Sequence, residues 1–189
     1  MDSSWVIAKL KRQIPVFSDL IDVLRTSELT SWLVGGCVRD LLLGNECADI
    51  DVVTVEDPSS WARAWARGRG HWFWLDEQRR QSRVLLAEGI SFDFAPLRGG
   101  TIIEDLKARD FTINAIAVPV KQSTLLLDPL DGVTDIHNRR LKMCSAGSFR
   151  DDPLRILKGI RHAAVLDFTI DTQSVTAMTL QAHLLKRVA

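Results

Sequence analysis

Asp49-Ile50-Asp51-Val52-Val53-Thr54-Val55 decides the fold: it opens a β-branched, strand-like run with two carboxylates one strand period apart. On a β-strand, residues i and i+2 point to the same face, about 6.6 Å apart along the chain. Asp49 and Asp51 are thus placed to grip hard cations together, while apolar Ile50 anchors the strand from behind. Magnesium takes one or two carboxylates plus substrate phosphate oxygens, which makes phosphoryl or nucleotidyl transfer the first chemistry to consider. Acids at this spacing also end strands and cap turns, so the neighbouring residues decide between the two readings.

Upstream, Trp32-Leu33-Val34 reads as a short strand running into Gly35-Gly36, and Val38 to Leu43 as a short helix stopped by Gly44 and Asn45. A glycine pair between strand and helix lets backbone N–H groups and the helix N-terminus approach a phosphate with no Cβ in the way. Arg39 follows within the first helical turn, and its guanidinium suits bidentate phosphate binding. Alone, this segment also fits a simple turn with a surface arginine. Combined with Asp49 and Asp51, it supplies anion donors and a metal seat within one strand-helix-strand unit. A third acid, Asp93, sits between Phe92 and Phe94 in an otherwise apolar strand. A buried, unpaired carboxylate costs several kcal/mol, so a metal or Arg98 is expected to compensate it unless it faces water from an edge.

The 189 residues suffice for one domain with a real core plus a short appendage. Hydrophobic residues make up 46% and charged residues 25%, an ordinary soluble composition. Lys plus Arg and Asp plus Glu balance at 24 each, so no global basic excess advertises nucleic acid. Positive charge does gather locally, from Lys107 to Arg109 and from Arg139 to Arg161. No run approaches the roughly 18 to 20 apolar residues of a membrane span, and no signal-peptide pattern opens the chain, so a cytoplasmic protein without a membrane partner is expected. Cys37, Cys47 and Cys144 are far apart in sequence and lack C-x-x-C spacing, which predicts reduced, buried thiols rather than a zinc site.

Apolar spacing predicts a helix over Phe17 to Leu29 and another from Pro58 to near Gly68, with Trp61, Ala62, Trp65 and Ala66 on one face. Trp72 to Leu75, Arg83 to Ala87 and Ile90 to Ala95 read as strands, with Gly89 at the last turn. Glu104 to Val118 reads mostly as helix, and Leu125 to Leu127 and Leu141 to Cys144 as short strands. Asp152 to Leu166 and Ser174 to Val188 carry helical spacing with no strand pattern between them. The expected fold is therefore α+β, a mixed sheet with helices packed on it over residues 1–145, followed by an all-helical segment over 146–189.

Val34-Gly35-Gly36, Asp49-Ile50-Asp51 and Phe92-Asp93-Phe94, in that order, resemble the signature of the polymerase-β-like nucleotidyltransferase superfamily. Arg109-Asp110-Phe111-Thr112-Ile113-Asn114-Ala115 resembles motif B of the bacterial-type class II tRNA nucleotidyltransferases and their poly(A) polymerase relatives. Asp151-Asp152-Pro153-Leu154-Arg155 with Arg161 resembles their motif D, and Asp128-Pro129, Asp131-Gly132 and Asp135 fit the motif between. The resemblance covers about residues 30 to 185. It implies a catalytic head over 1–145 and the start of a helical neck over 146–189, with the rest of neck, body and tail expected beyond.

On this chain the resemblance implies that Asp49 and Asp51 bind two magnesium ions. It further implies that Asp93 joins them as a third catalytic acid. Gly35, Gly36 and Arg39 would contact the triphosphate, and Arg109, with Asp110 and Asn114 of its motif, would hold the nucleotide. Asp152 and Arg155 would present Watson-Crick-like edges to cytosine or adenine, with Lys158 and Arg161 nearby. Helical geometry agrees, since residues three apart share a face; the plainer reading of Asp151-Asp152-Pro153 is a helix start favoured by the dipole. The implied partners are ATP or CTP and the 3′ end of tRNA or another RNA, with a primer hydroxyl attacking the α-phosphate in line between two metals. A poly(A) polymerase, or a non-catalytic nucleotide- or RNA-binding module, is the rival reading.

Two positions depart from the family pattern. Ala108 stands where an arginine usually precedes motif B, and Lys158 where motif D often has arginine, keeping a charge but losing the planar fork. Trp61, Trp65, Trp72 and Trp74 invite a base-stacking reading, but Trp61 and Trp65 at i and i+4 are expected to pack a helix on the sheet. His71, His137, His162 and His183 show no ligand spacing.

Overall fold

A computed structural model describes residues 4–121 and 125–188. The chain divides into two compact units, Met1–Ile102 with Ala117–Leu127, and Ile103–Ile116 with Asp128–Ala189.

In the first unit, α1 (Ser4–Gln13) and α2 (Val16–Thr26) precede β1 (Ser31–Val34), α3 (Gly35–Leu42), β2 (Asp49–Thr54) and α4 (Ser59–Ala66). Strands β3 (His71–Asp76), β4 (Gln81–Leu85) and β5 (Ser91–Pro96) follow, and β6 (Val118–Pro119) returns to the sheet. The six strands lie in the order β3-β4-β5-β2-β1-β6, with β2 and β5 parallel and the remaining pairs antiparallel. Period-two alternation separates the faces. Ile50, Val52, Phe92 and Phe94 are all essentially buried and point one way, so Asp49, Asp51 and Asp93 point the other.

The apolar face is covered as the tryptophan spacing predicts. Trp65 lies edge-on to Phe92 at 5.2 Å, and Trp61 meets Phe94 at 5.6 Å. Trp65 donates its indole N–H to Asp19 of α2 at 3.1 Å, so the buried ring keeps its polar atom satisfied. Phe17, Leu20, Ile21 and Leu24 of α2 are fully buried at helical spacing. Each such side chain contributes about 1.5–3 kcal/mol by leaving water. Helix α1, missed in the sequence because its apolar positions Val6, Ile7 and Leu10 span little more than one turn, buries those three.

The second unit contains α5 (Ile102–Lys107, its first residue in the first unit), a 3₁₀ turn at Thr112–Asn114, α6 (Gly132–His137), β7 (Arg140–Leu141), α7 (Ser148–Asp151), α8 (Leu154–Leu166), β8 (Thr169–Ile170), α9 (Thr172–Gln181) and a final 3₁₀ segment, Ala182–Arg187. Phe111, Phe149, Ile156 and Met178 are among its core side chains. Gly159 lets α8 approach them, since a Cβ there would run into Met178 and lie 2.7 Å from the Phe111 ring.

Four expectations need correction. The helix expected over Glu104 to Val118 stops at Lys107. Asp110 accepts the Phe111 N–H at 2.8 Å, Thr112 N–H goes to the Lys142 carbonyl at 2.9 Å, and Phe111 bridges Met143 in strand fashion. Local carboxylate capture and cross-chain pairing outcompete the helical ladder. Further on, Ala117 pairs with Leu127, and Leu33 of β1 with Val118. The segment after 146 is not all helical either: β8 pairs with β7 in parallel after Asp167 ends α8 in the left-handed region at φ 56°. A two-residue strand is too short to show alternation. Finally, α3 starts at Gly35, not Val38, and α2 ends at Thr26 rather than Leu29. The expected mixed sheet with helices packed on it is what forms. Among the described residues no helix is long and apolar enough to cross a membrane.

Candidate active site

Strand register assembles the acids. Val34 lies opposite Asp51, Asp51 opposite Asp93, and Asp49 opposite Ser91. The glycine pair therefore leaves β1 beside Asp51, and three neighbouring strands contribute to one patch of the sheet's polar face. Asp49 is exposed, and Asp51 and Asp93 are half-buried. Ser91 donates its hydroxyl to Asp49 Oδ1 at 2.5 Å, which orients that carboxylate. Asp93 is compensated not by Arg98, as expected, but by Arg83 across the strand pair. Nε–Oδ1 is 2.6 Å and Nη2–Oδ2 is 2.8 Å, a fork-to-fork contact. The Arg83 guanidinium holds its proton more tightly than usual, chiefly through the hydrogen bond to Asp93 and further through the fields of Asp49 and Asp51, with burial opposing.

Gly35 begins α3 at φ 75°, a conformation that favours glycine. Arg39 is only 9% exposed and donates Nε and Nη2 to the two carboxylate oxygens of Asp40 at 2.9 and 3.0 Å. A Cβ on Gly36 would sit 3.3 Å from Arg39 Nη2, so the missing side chain leaves room for the guanidinium. In the same helix Cys37 is buried and receives the Cys47 thiol hydrogen at an Sγ–Sγ distance of 3.0 Å. That contact, first, and then burial push the Cys37 thiol pKa up. The fold thus brings together two cysteines that lie far apart in sequence, and Cys47 and Cys144 are half-buried rather than buried as expected.

The second unit holds the other predicted residues. Arg109 donates Nε and Nη2 to Asp105 Oδ2 at 2.9 and 2.8 Å, and Asp105 is 1% exposed. Asp110 Oδ1 also accepts from Asn114 Nδ2 at 3.1 Å, across the 3₁₀ turn at Thr112–Asn114. Arg155 is nearly buried; Nη1 donates to the Arg109 carbonyl at 3.2 Å and to Ser148 Oγ at 3.0 Å, and Nη2 to the Ala108 carbonyl at 2.9 Å. Its Nε lies 3.8 Å from Asp152 Oδ2, while Asp152 Oδ1 caps α8 by accepting the Leu154 N–H at 3.0 Å. The helix expected from Asp152 starts only at Leu154, so Asp152, in extended backbone, meets Arg155 from just before α8 rather than on a shared helix face. Lys158 and Arg161 are exposed on α8.

Beneath motif B, Asp135 is 1% exposed, accepts the Thr112 hydroxyl at 2.6 Å and pairs with Arg140 at 2.5 Å. Asp128 accepts the Gly132 and Val133 N–H groups at 2.7 and 2.9 Å, capping α6. The supporting residues Arg83, Ser91, Asp40, Asp105 and Ser148 were not foreseen. Their identity depends on register and on contacts that sequence spacing does not express.

The donor set fits a hard cation in a particular way. Both Asp93 oxygens are taken by Arg83, and among the described residues no group of three His, Cys, Asp or Glu could hold a metal. Asp49 and Asp51 are two same-face carboxylates, the number magnesium uses when substrate phosphates and water complete its shell.

Residues 31–101 and 75–142 match the model of the poly A polymerase head domain. The chain belongs to that family. It is 47% identical over 177 residues to a CC-adding tRNA nucleotidyltransferase of Geobacter sulfurreducens, covering 93% of this chain and 41% of that protein. It is 42% identical over 155 residues to an A-adding tRNA nucleotidyltransferase of Deinococcus radiodurans, covering 82% and 35%. The fold matches the structure of a CCA-adding enzyme in complex with CTP at a TM-score of 0.85 and 30% identity, covering 99% of this chain and 48% of that one. The chain thus spans less than half the length of these relatives.

Proposed function

We propose that this chain is the catalytic head (1–145) and the start of the base-recognising neck (146–189) of a cytoplasmic, template-independent nucleotidyltransferase that adds C and/or A from CTP or ATP to the 3′ end of tRNA. The observation that carries the reading is the register of Val34, Asp51 and Asp93, which sets a phosphate-type glycine turn beside the acids. The relatives' names, CC-adding and A-adding, support tRNA as acceptor and these two nucleotides as donors.

Asp49 and Asp51 would hold magnesium, which when bound supplies charge neutralisation at the triphosphate and activation of the primer hydroxyl. Gly36, free of a Cβ, and Arg39, steadied by Asp40, bind the phosphates. Asp93 works from a position fixed by Arg83. Arg109, braced by Asp105, holds the nucleotide. Arg155 has five N–H donors; its bonds to Ala108, Arg109 and Ser148 fix the plane in which the rest meet a base, with Asp152 as the acceptor partner. A pre-set fork of this kind loses little entropy on binding. Lys158 and Arg161 add exposed positive charge about one and nearly two turns further along α8.

Calorimetric titration with CTP, ATP, GTP and UTP, with and without magnesium, tests the reading. CTP or ATP should bind only with magnesium and at least about tenfold tighter than GTP and UTP, a difference of about 1.4 kcal/mol. Equal binding of all four, or none of any, would contradict it.

A further inference from the structure

Cys37 lies in the first turn of α3 directly after Gly35-Gly36, and Cys47 lies in the segment between α3 and β2, two residues before Asp49. Their sulfurs are 3.0 Å apart. Cys37 is 2% exposed, whereas Cys47 is half-buried and reachable from solvent. We propose that Cys37 and Cys47 form a disulfide on exposure to small-molecule disulfides, and that this bond locks the segment that carries Asp49.

The segment is already tied at both ends. Asn45 N–H donates to the Asp40 carbonyl at 2.8 Å, and Ser91 N–H donates to the Ala48 carbonyl at 2.8 Å. Between these anchors Cys47 faces α3, with Gly44 at φ 88° supplying the turn. Exchange runs in two steps. The Cys47 thiolate attacks one sulfur of the small disulfide and expels a thiol, and Cys37 then attacks Cys47 Sγ and expels the second. Two protein thiols lose two electrons and two protons, and one small disulfide becomes two thiols.

A disulfide needs an S–S distance of about 2.0 Å, so closure draws α3 and the segment together by roughly 1 Å. That displacement falls on the residues flanking Gly36 on one side and Asp49 on the other. Misplacement of about 1 Å in a catalytic site can cost on the order of a hundredfold in rate. The effect on nucleotide handling rests on the function proposed above; the bond itself does not.

The test oxidises the 189-residue protein with hydroxyethyl disulfide and maps its peptides without reduction. One bond linking Cys37 to Cys47, a loss of two hydrogen masses and reversal by dithiothreitol are expected. Cys37→Ser should stop at a mixed disulfide on Cys47, and Cys47→Ser should leave Cys37 unmodified. A bond to Cys144, or no Cys37–Cys47 bond, overturns the proposal. Amide exchange across residues 43–49 should slow about tenfold in the oxidised form, and unchanged exchange overturns the locking. Magnesium-dependent CTP or ATP affinity should fall about tenfold on oxidation. Reduced protein that binds neither nucleotide refutes the proposed function while the mapping and exchange results still decide this inference. Reduced and oxidised forms that bind equally tightly refute the effect on the site.

Discussion

Arg83 closes on Asp93 from the adjacent strand with both carboxylate oxygens engaged, at 2.6 and 2.8 Å. The pair is a quarter to a third exposed, so its net worth is about 1 kcal/mol rather than that of a fully buried bridge. Arg83→Met should lower unfolding free energy by about that amount in urea titration. Adding Asp93→Asn in the same chain should recover part of the loss, because the uncompensated charge is then gone. A double variant less stable than Arg83→Met would argue that Asp93 has another partner.

Asp135 has more at stake. It is buried, and it joins the Thr112 hydroxyl of motif B to Arg140. Asp135→Ala leaves a buried hydroxyl without its acceptor and Arg140 without its counter-charge. The expected loss is about 2–3 kcal/mol, read as a shift of the denaturation midpoint at unchanged slope.

Gly132 is the position where a single methyl group should do most harm for its size. A Cβ there would collide with the Thr112 carbonyl, which is backbone and cannot swing aside. Gly132→Ala should cost about 1–3 kcal/mol. Differential scanning calorimetry should show a lower Tm for Gly132→Ala and none for Gly147→Ala, whose Cβ would meet only ordinary contacts, the nearest at 3.6 Å.

The Cys144 thiol is raised from its ordinary value of 9.0 to about 12, first by burial and then by Asp110, with Arg109 and Arg155 partly offsetting. In the unfolded chain the thiol ionises first. Between about pH 9 and about 12 the unfolded state has released a proton that the folded state still holds, so stability must fall as pH rises through that window. Chemical denaturation of wild type and Cys144→Ser across this range should show the steeper decline in wild type. Parallel curves would contradict the shift.

Much of the site was legible because its residues sit at fixed local spacing. Asp49 and Asp51 share a face by strand period, Gly35-Gly36 marks a turn, and the three-residue spacing of Asp152 and Arg155 brings their side chains within 3.8 Å at the start of α8. The partner of Asp93 was not legible, because only register decides whether Arg83 or Arg98 lies opposite it, and register is a property of paired strands. The helix expected after Glu104 failed for a related reason. Propensity favoured continuing it, but the Asp110 side chain and the Lys142 carbonyl offered its amides other acceptors. The strand pairing of β7 with β8 was hidden because two-residue strands carry no period. The meeting of Cys37 and Cys47 was hidden because it depends on how the segment after α3 turns back at Gly44.

The proposed function assigns metal-dependent nucleotidyl transfer to Asp49 and Asp51. The decisive measurement incubates the protein and its Asp51→Ala variant with labelled CTP or ATP, magnesium, and saturating tRNA lacking its terminal C-C-A. Wild type should label the tRNA 3′ end, and Asp51→Ala, folded to the same circular-dichroism spectrum, should label it at least about a thousandfold more slowly. Equal labelling by Asp51→Ala, or labelling by wild type that persists in excess chelator, would contradict the claim.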